Sequence, residues 1–117
     1  MKVIVCGGRD NYDYLYIHQK LNEIHVEQNI TVLVHGSATG VDKICDQWAS
    51  YQGIDVKPYP ADWQKLGKSA GPFRNRQMAH ENKDAKCLVI FDGDRGTKDM
   101  VQCAVNNKIE LKDMRKA

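Results

Sequence analysis

Val3-Ile4-Val5-Cys6-Gly7-Gly8-Arg9-Asp10 is the most informative run in the chain. Four apolar residues without polar alternation, ended by two glycines, read as a short strand buried on both faces, as in a parallel sheet covered by helices. Working outward, Tyr14, Ile17, Leu21 and Ile24 recur at helical spacing, and Thr31-Val32-Leu33-Val34 is a second β-branched run before Gly36. Val41, Ile44, Cys45, Trp48 and Ala49 form another helical stripe, while the alternation and proline of Ile54-Asp55-Val56-Lys57-Pro58-Tyr59 suggest a strand at a sheet edge. A loop is predicted from Pro60 to Gly71 and a helix from Pro72 to Glu81, with Pro72 near its first position. Lys86-Cys87-Leu88-Val89-Ile90-Phe91 is the clearest buried strand, Thr97, Met100, Val101, Ala104 and Val105 mark the last helix, and Ile109-Glu110-Leu111 is the candidate fifth strand. The end of the chain, Lys108 to Ala117, mixes charges and reads as solvated.

Regular alternation of strands and helices implies right-handed crossovers and a parallel sheet covered on both sides. The expected fold is a single α/β, Rossmann-like three-layer domain over residues 1–117, with about five strands in the order 3-2-1-4-5. In such a sheet the strand order reverses beside the first strand, and ligands bind outside the carboxyl ends there, between strands one and four.

Composition bounds the function. A chain of 117 residues, 42 % hydrophobic, suits one core, and its net charge of +2 from 17 basic and 15 acidic residues is too weak for general attraction to duplex nucleic acid or an anionic membrane. The apolar start, residues 1–6, is far shorter than a secretory or membrane-spanning segment, so a cytoplasmic chain is expected. Cys6, Cys45, Cys87 and Cys103 sit in apolar strand or helix patterns without Cys-x-x-Cys spacing and read as reduced core residues.

Glycine and charge gather after three of the strands, and those turns should share one rim of the sheet. Gly7, Gly8 and Arg9 follow the first strand; Gly36, Ser37, Thr39, Gly40 and Asp42 follow the second; Gly93, Arg95, Gly96 and Thr97 follow the fourth. Helices that begin beside such turns present free backbone N–H groups and a positive dipole end to whatever occupies the crevice, which suits an anion such as phosphate. Ser37, Thr39 and Thr97 could add hydroxyl donors. The long segment 61–75 contributes Asp62, Trp63, Lys68, Arg74 and Asn75. Arg74, expected in a first helical turn, opposes the usual acidic preference there, as fits a nearby anion. Trp63 either stacks on a base or packs under its loop, and Asp42 and Asp62 either accept ribose hydroxyls or favour the start of a helix. His18, His25, His35 and His80 form no cluster by spacing, so no metal site is expected and no cofactor is required; a magnesium ion accompanying ligand phosphates at Asp92 or Asp94 is the metal the pattern allows.

Taken together, Val5-Cys6-Gly7-Gly8-Arg9-Asp10, His35-Gly36-x-Ala38-x-Gly40-x-Asp42 with Trp48-Ala49, Pro60-Ala61-Asp62-Trp63, Gly67-Lys68-x-Ala70-Gly71-Pro72-x-Arg74-Asn75-x-x-Met78 and Phe91-x-Gly93-x-x-Gly96-Thr97 resemble the YspA-like branch of the SLOG superfamily. That superfamily groups the fold of DNA-processing protein A with the LOG-type phosphoribohydrolases. The resemblance implies a Rossmann-like domain whose glycine loops hold a nucleotide or nucleotide-derived molecule, as a sensing or sequestering module. It also implies relatives that pair into homo-oligomers, dimers or larger.

In LOG-type enzymes an arginine four residues before a methionine, and a glutamate three residues after the threonine of a glycine loop, support cleavage of an N-glycosidic bond in a nucleoside 5′-monophosphate. Arg74 and Met78 match the first element; the second position is Met100, which moves no proton, and its loss should cost roughly 10²- to 10⁴-fold. Asp99 is the candidate substitute, with Arg74 its catalytic partner. Binding of single-stranded DNA, the third reading, is disfavoured by the weak charge and the few stacking aromatics.

Overall fold

The computed structural model describes residues 1–116. Five strands, β1 (Lys2–Cys6), β2 (Val32–His35), β3 (Asp55–Pro58), β4 (Cys87–Ile90) and β5 (Leu111–Asp113), form one all-parallel sheet in the order β3-β2-β1-β4-β5. Between them run α1 (Tyr14–Gln28), α2 (Val41–Tyr51), α3 (Trp63–Leu66), a 3-10 turn (Gly67–Ser69), α4 (Ala70–Glu81) and α5 (Arg95–Asn106). The order and the three layers are those expected, and β3 lies at the edge.

Strand periodicity divides the core. Val3 and Val5 pack with α1 and α2 through Ile17, Leu21, Ile44 and Trp48. Ile4 and Cys6 point to the opposite face and pack with α4 and α5 through Met78, Met100 and Ala104. Alternate residues of a strand face opposite sides, so a central strand with helices on both sides must be apolar at every position. All four cysteines are buried and free. Among the described residues no helix is long and apolar enough to cross a membrane.

Three boundaries differ from the sequence reading. The stretch from Pro60 to Gly71 is not a plain loop: Asp62 caps α3, accepting from Lys65 N at 3.1 Å, and Gly67 ends it at φ +56°. With four residues and no buried side chain, α3 leaves no apolar period to read. Helix α4 begins at Ala70, so Pro72 is its third residue, where no N–H is required, and Arg74 stands in the second turn. Ile109 precedes β5. Lys108 at φ +59° turns the chain out of α5, and Ile109 N donates to Ala104 O at 2.9 Å, so this apolar residue closes the helix end. The segment after Lys108 is correspondingly not all solvated, because β5 pairs with β4 from Leu111↔Leu88 to Asp113↔Ile90; Ala117 lies outside the described residues.

Candidate functional site

The turns after β1, β2 and β4 meet backbone to backbone at the carboxyl rim. Gly8 N donates to Asp92 O at 2.9 Å, Val41 N donates to Gly8 O at 3.2 Å, and Thr39 Oγ1 donates to Arg9 O at 3.1 Å. Gly8 lies close enough to Gly93 that a Cβ on it would sit 3.1 Å from the Gly93 Cα. These glycines let three chains cross without side chains between them. Their role differs from the amide cradle anticipated from sequence, because the Gly8 N–H is already bonded within the protein. The Gly36 and Ala38 N–H groups are also taken: both donate to Asp42 Oδ2, at 3.2 Å each.

A hollow of about 320 Å³ opens beside this junction, over the end of β1 on the α4 and α5 face. Its size is at the lower end of small-molecule sites. Among the residues singled out in the sequence, it gathers Gly7, Arg9 and Gly36 from the first two turns and Trp63, Lys68, Arg74 and Asn75 from the long segment; Arg95, Gly96, Thr97 and Asp99 come from α5 and Asp42 from α2. Gly8, Gly40 and Gly93 hold the junction instead. Ser37 and Thr39 face a separate recess with His35 and Asp46, and Asp62 lies in another beside Lys65. His35, unpartnered by sequence spacing, is tied on both nitrogens: Ser37 N donates to Nδ1 at 2.9 Å, so the proton sits on Nε2, which meets Asp46 Oδ2 at 2.7 Å. Asp92 accepts from Lys116 N at 3.1 Å, outside the hollow, and Asp94 lines it while capping α5 through Gly96 N at 3.3 Å.

Charge in the hollow is mixed, with four cationic side chains (Arg9, Lys68, Arg74, Arg95) against three carboxylates (Asp42, Asp94, Asp99). Arg74 is the hub. Its Nη1 donates to Gly36 O and, at 3.2 Å, to Tyr59 O, and its Nε donates to Asn75 Oδ1 at 2.9 Å. Asn75 is buried and passes the connection on, its Nδ2 donating to Asp99 Oδ2 at 2.9 Å. Burial pulls the Arg74 pKa below the usual arginine value, and Arg9 pulls it the same way, while Asp42 and Asp99 oppose the shift. Two like charges facing one cavity are relieved by an anion placed between them. Thr97 lines the same wall, and among the described residues its Oγ1 is the one buried side-chain polar atom without a hydrogen-bond partner. That oxygen is closed to solvent from the hollow and lies against the Gly93 backbone, where a Cβ added to Gly93 would collide with it.

Sequence reasoning did not foresee the apolar floor: Met78, which the resemblance paired with Arg74, and Met100, at the position of the missing glutamate, sit on the core stripes of α4 and α5, and both also wall the hollow. It missed as well that Arg9 lies over Trp63, 4.8 Å from the ring centroid, a contact between residues 54 positions apart. No spacing rule points to that pair.

Asp42 is buried, and desolvation holds its carboxyl pKa above the ordinary aspartate value, opposed by the Ala38 and Gly36 N–H groups, His35 and Arg74. The folded chain therefore binds this proton more tightly than the unfolded chain, so its contribution to stability falls as pH rises from about 3.9 through the raised pKa. Both amides bond the same oxygen, so Asp42→Asn can keep both bonds with its amide oxygen while removing the charge. At neutral pH the variant should match or exceed the wild type in urea unfolding. The wild type should gain on the variant as pH is lowered toward about 4; a difference that does not change with pH contradicts the assignment.

Residues 1–66 match the model of YAcAr, described as the YspA, cpYpsA-related SLOG family. The chain is also similar to the Gene 61 protein of Mycobacterium phage D29, 37 % identical over an alignment of 95 residues, with 76 % of this chain and 75 % of that protein covered. No solved structure matches. The family match spans β1 to α3, including the first two turns and Trp63, and leaves the α4 and α5 wall of the hollow outside it. With more than half of the sequence covered and the sheet order in agreement, the chain belongs to the YspA, cpYpsA-related SLOG family.

Proposed function

We propose that the chain binds a nucleotide or nucleotide-derived molecule in the hollow between α4, α5 and the first two turns, as a sensing or sequestering module. Membership of the SLOG family supports a nucleotide-related role. The observation that carries the reading is the convergence of Arg9, Lys68, Arg74 and Arg95 on one cavity beside three carboxylates. Cations suit phosphate oxygens, and nearby carboxylates suit ribose hydroxyls or base N–H groups, so the mixed lining fits a nucleoside phosphate better than phosphate alone. Isothermal titration against nucleoside mono- and diphosphates and ADP-ribose tests this; no heat from any of them counts against it.

Thr97→Val is a control within the same wall, because valine keeps the shape and removes a hydroxyl that is closed to the hollow. The variant should unfold at the same or higher urea concentration, with a gain of up to about 1 kcal/mol, and bind nucleotide with wild-type affinity. A loss of affinity of about tenfold would contradict the separation of this hydroxyl from the ligand.

A second reading is hydrolysis of the N-glycosidic bond, favoured by the Arg74–Asn75–Asp99 relay along the wall. Asp99 would take a proton from water as the water oxygen bonds to C1′ and the C1′–N bond breaks; the base nitrogen keeps that electron pair and receives the proton back from Asp99 or from solvent. Release of free base that is lost in Asp99→Asn supports this reading; intact nucleotide after prolonged incubation opposes it. Pairing of two copies would cover the open side of the hollow, and a monomeric mass by light scattering opposes that arrangement.

A further inference from the structure

Trp63 begins α3 at the mouth of the hollow and is 45 % exposed. Its position is fixed from three sides. Asp62 caps the helix, Gly67 turns the chain away at φ +56°, and the indole edge rests on Gly71, where a Cβ would lie 3.1 Å from Trp63 Cη2. An indole serving only to anchor its loop would bury its faces against apolar side chains. Here the edge touches backbone, and the guanidinium of Arg9 lies over the ring, 4.8 Å from the centroid.

Arginine is planar and weakly hydrated, so it stacks on an aromatic face much as a base does. Both members of the pair line the hollow that also contains Arg74 and Thr97. A base on an indole holds more strongly than an exposed guanidinium, and an arginine displaced from the ring gains a charged partner if a phosphate arrives with that base. A sugar phosphate offers only the second half of the exchange.

We propose that Trp63 is the stacking platform for the ligand's nucleobase and that Arg9 exchanges its place on the ring for the ligand's phosphate. This rests on the nucleotide reading above and deepens it: the aromatic base contributes to recognition, and because every base has a π face, the platform favours nucleoside phosphates as a class over sugar phosphates.

Calorimetry on the full chain with AMP, GMP, CMP, UMP and ribose 5-phosphate tests the inference. At least one nucleotide should bind the wild type about tenfold or more tightly than ribose 5-phosphate. Trp63→Leu should erase that difference, and Trp63→Phe should restore most of it. Trp48, the other tryptophan, is buried, so acrylamide quenching reports mainly on Trp63; the nucleotide should shield it and ribose 5-phosphate should not. Arg9→Gln should weaken nucleotides and ribose 5-phosphate alike. Equal binding of nucleotides and ribose 5-phosphate by the wild type, a preference that survives Trp63→Leu, or full affinity in Arg9→Gln overturns this inference and leaves the nucleotide reading intact. Binding of none of the five ligands overturns this inference, and no heat from nucleoside diphosphates and ADP-ribose as well overturns both.

Discussion

Gly40→Ala should lower the thermal midpoint by about 12–20 °C, the largest loss expected from any single methyl added to this chain. Gly40 caps α2 at φ +69°, ψ −125°, a region reserved for glycine, and a Cβ there would lie 2.6 Å from Arg9 O and nearer still to Gly8 O. The backbone strain costs of order 1–3 kcal/mol, and pushing the β1 and β2 turns apart costs a similar amount. Separation would also break the bond from Val41 N to Gly8 O. For a domain near this size about 4 °C is lost per kcal/mol. Gly53→Ala is the control: it has φ +75°, yet nothing lies within 4 Å of its added Cβ. It should cost only the left-handed penalty of about 1–2 kcal/mol. Equal midpoint losses for the two variants, read by circular dichroism, would refute the claim that the crossing of turns is what Gly40 permits.

The contrast between these two glycines marks where sequence reading reaches its limit. Gly40 and Gly53 flank the two ends of α2, and only the fold brings the Gly8 and Arg9 carbonyls onto one of them. The sheet itself was legible because its signal is local. Val3 to Cys6 and Cys87 to Ile90 are apolar at every position, which a strand needs when Ile4 packs under α4 and α5 and Val3 under α1 and α2. Ile109 misled for the same reason that Val3 informed: burial made it apolar, but the burial is against the end of α5 and not within the sheet.

Of the candidate site, the turns and their common rim were legible, and the use of their atoms was not. Glycine after a strand signals close approach without naming the partner, and at Gly8 and Gly93 the partner is the neighbouring turn. Asp42 illustrates the same limit: an aspartate at the start of a helix could face a ligand or a loop, and its Oδ2 receives the Gly36 and Ala38 amides. The mixture of charge in the hollow is likewise a product of folding. Residues from Arg9 to Asp99 meet there, although no short window of the chain contains more than a few of them.

Arg74→Met should separate the structural and ligand-facing duties of the arginine at the centre of that network. Methionine keeps an unbranched apolar stem, but withdraws the donors that serve Gly36 O, Tyr59 O and Asn75 Oδ1. Leaving partly buried carbonyls without donors should cost about 2–3 kcal/mol in urea unfolding, moderated by their access to water. Loss of the charge should weaken nucleotide binding by about 100-fold, since hydrogen bonds to charged groups contribute about 1.5–3 kcal/mol each. Arg74→Lys restores the charge without the planar fork or the Nε donor, so it should recover part of the affinity and little of the stability. Removing the Nε donor also frees Asn75, and with it the orientation of Asp99, so any base-releasing activity should fall more steeply than binding in both variants. If Arg74→Met unfolds early yet binds nucleotide with wild-type affinity in calorimetry, the guanidinium is a strut between β2 and α4, and the anion is held by Arg9 and its neighbours alone.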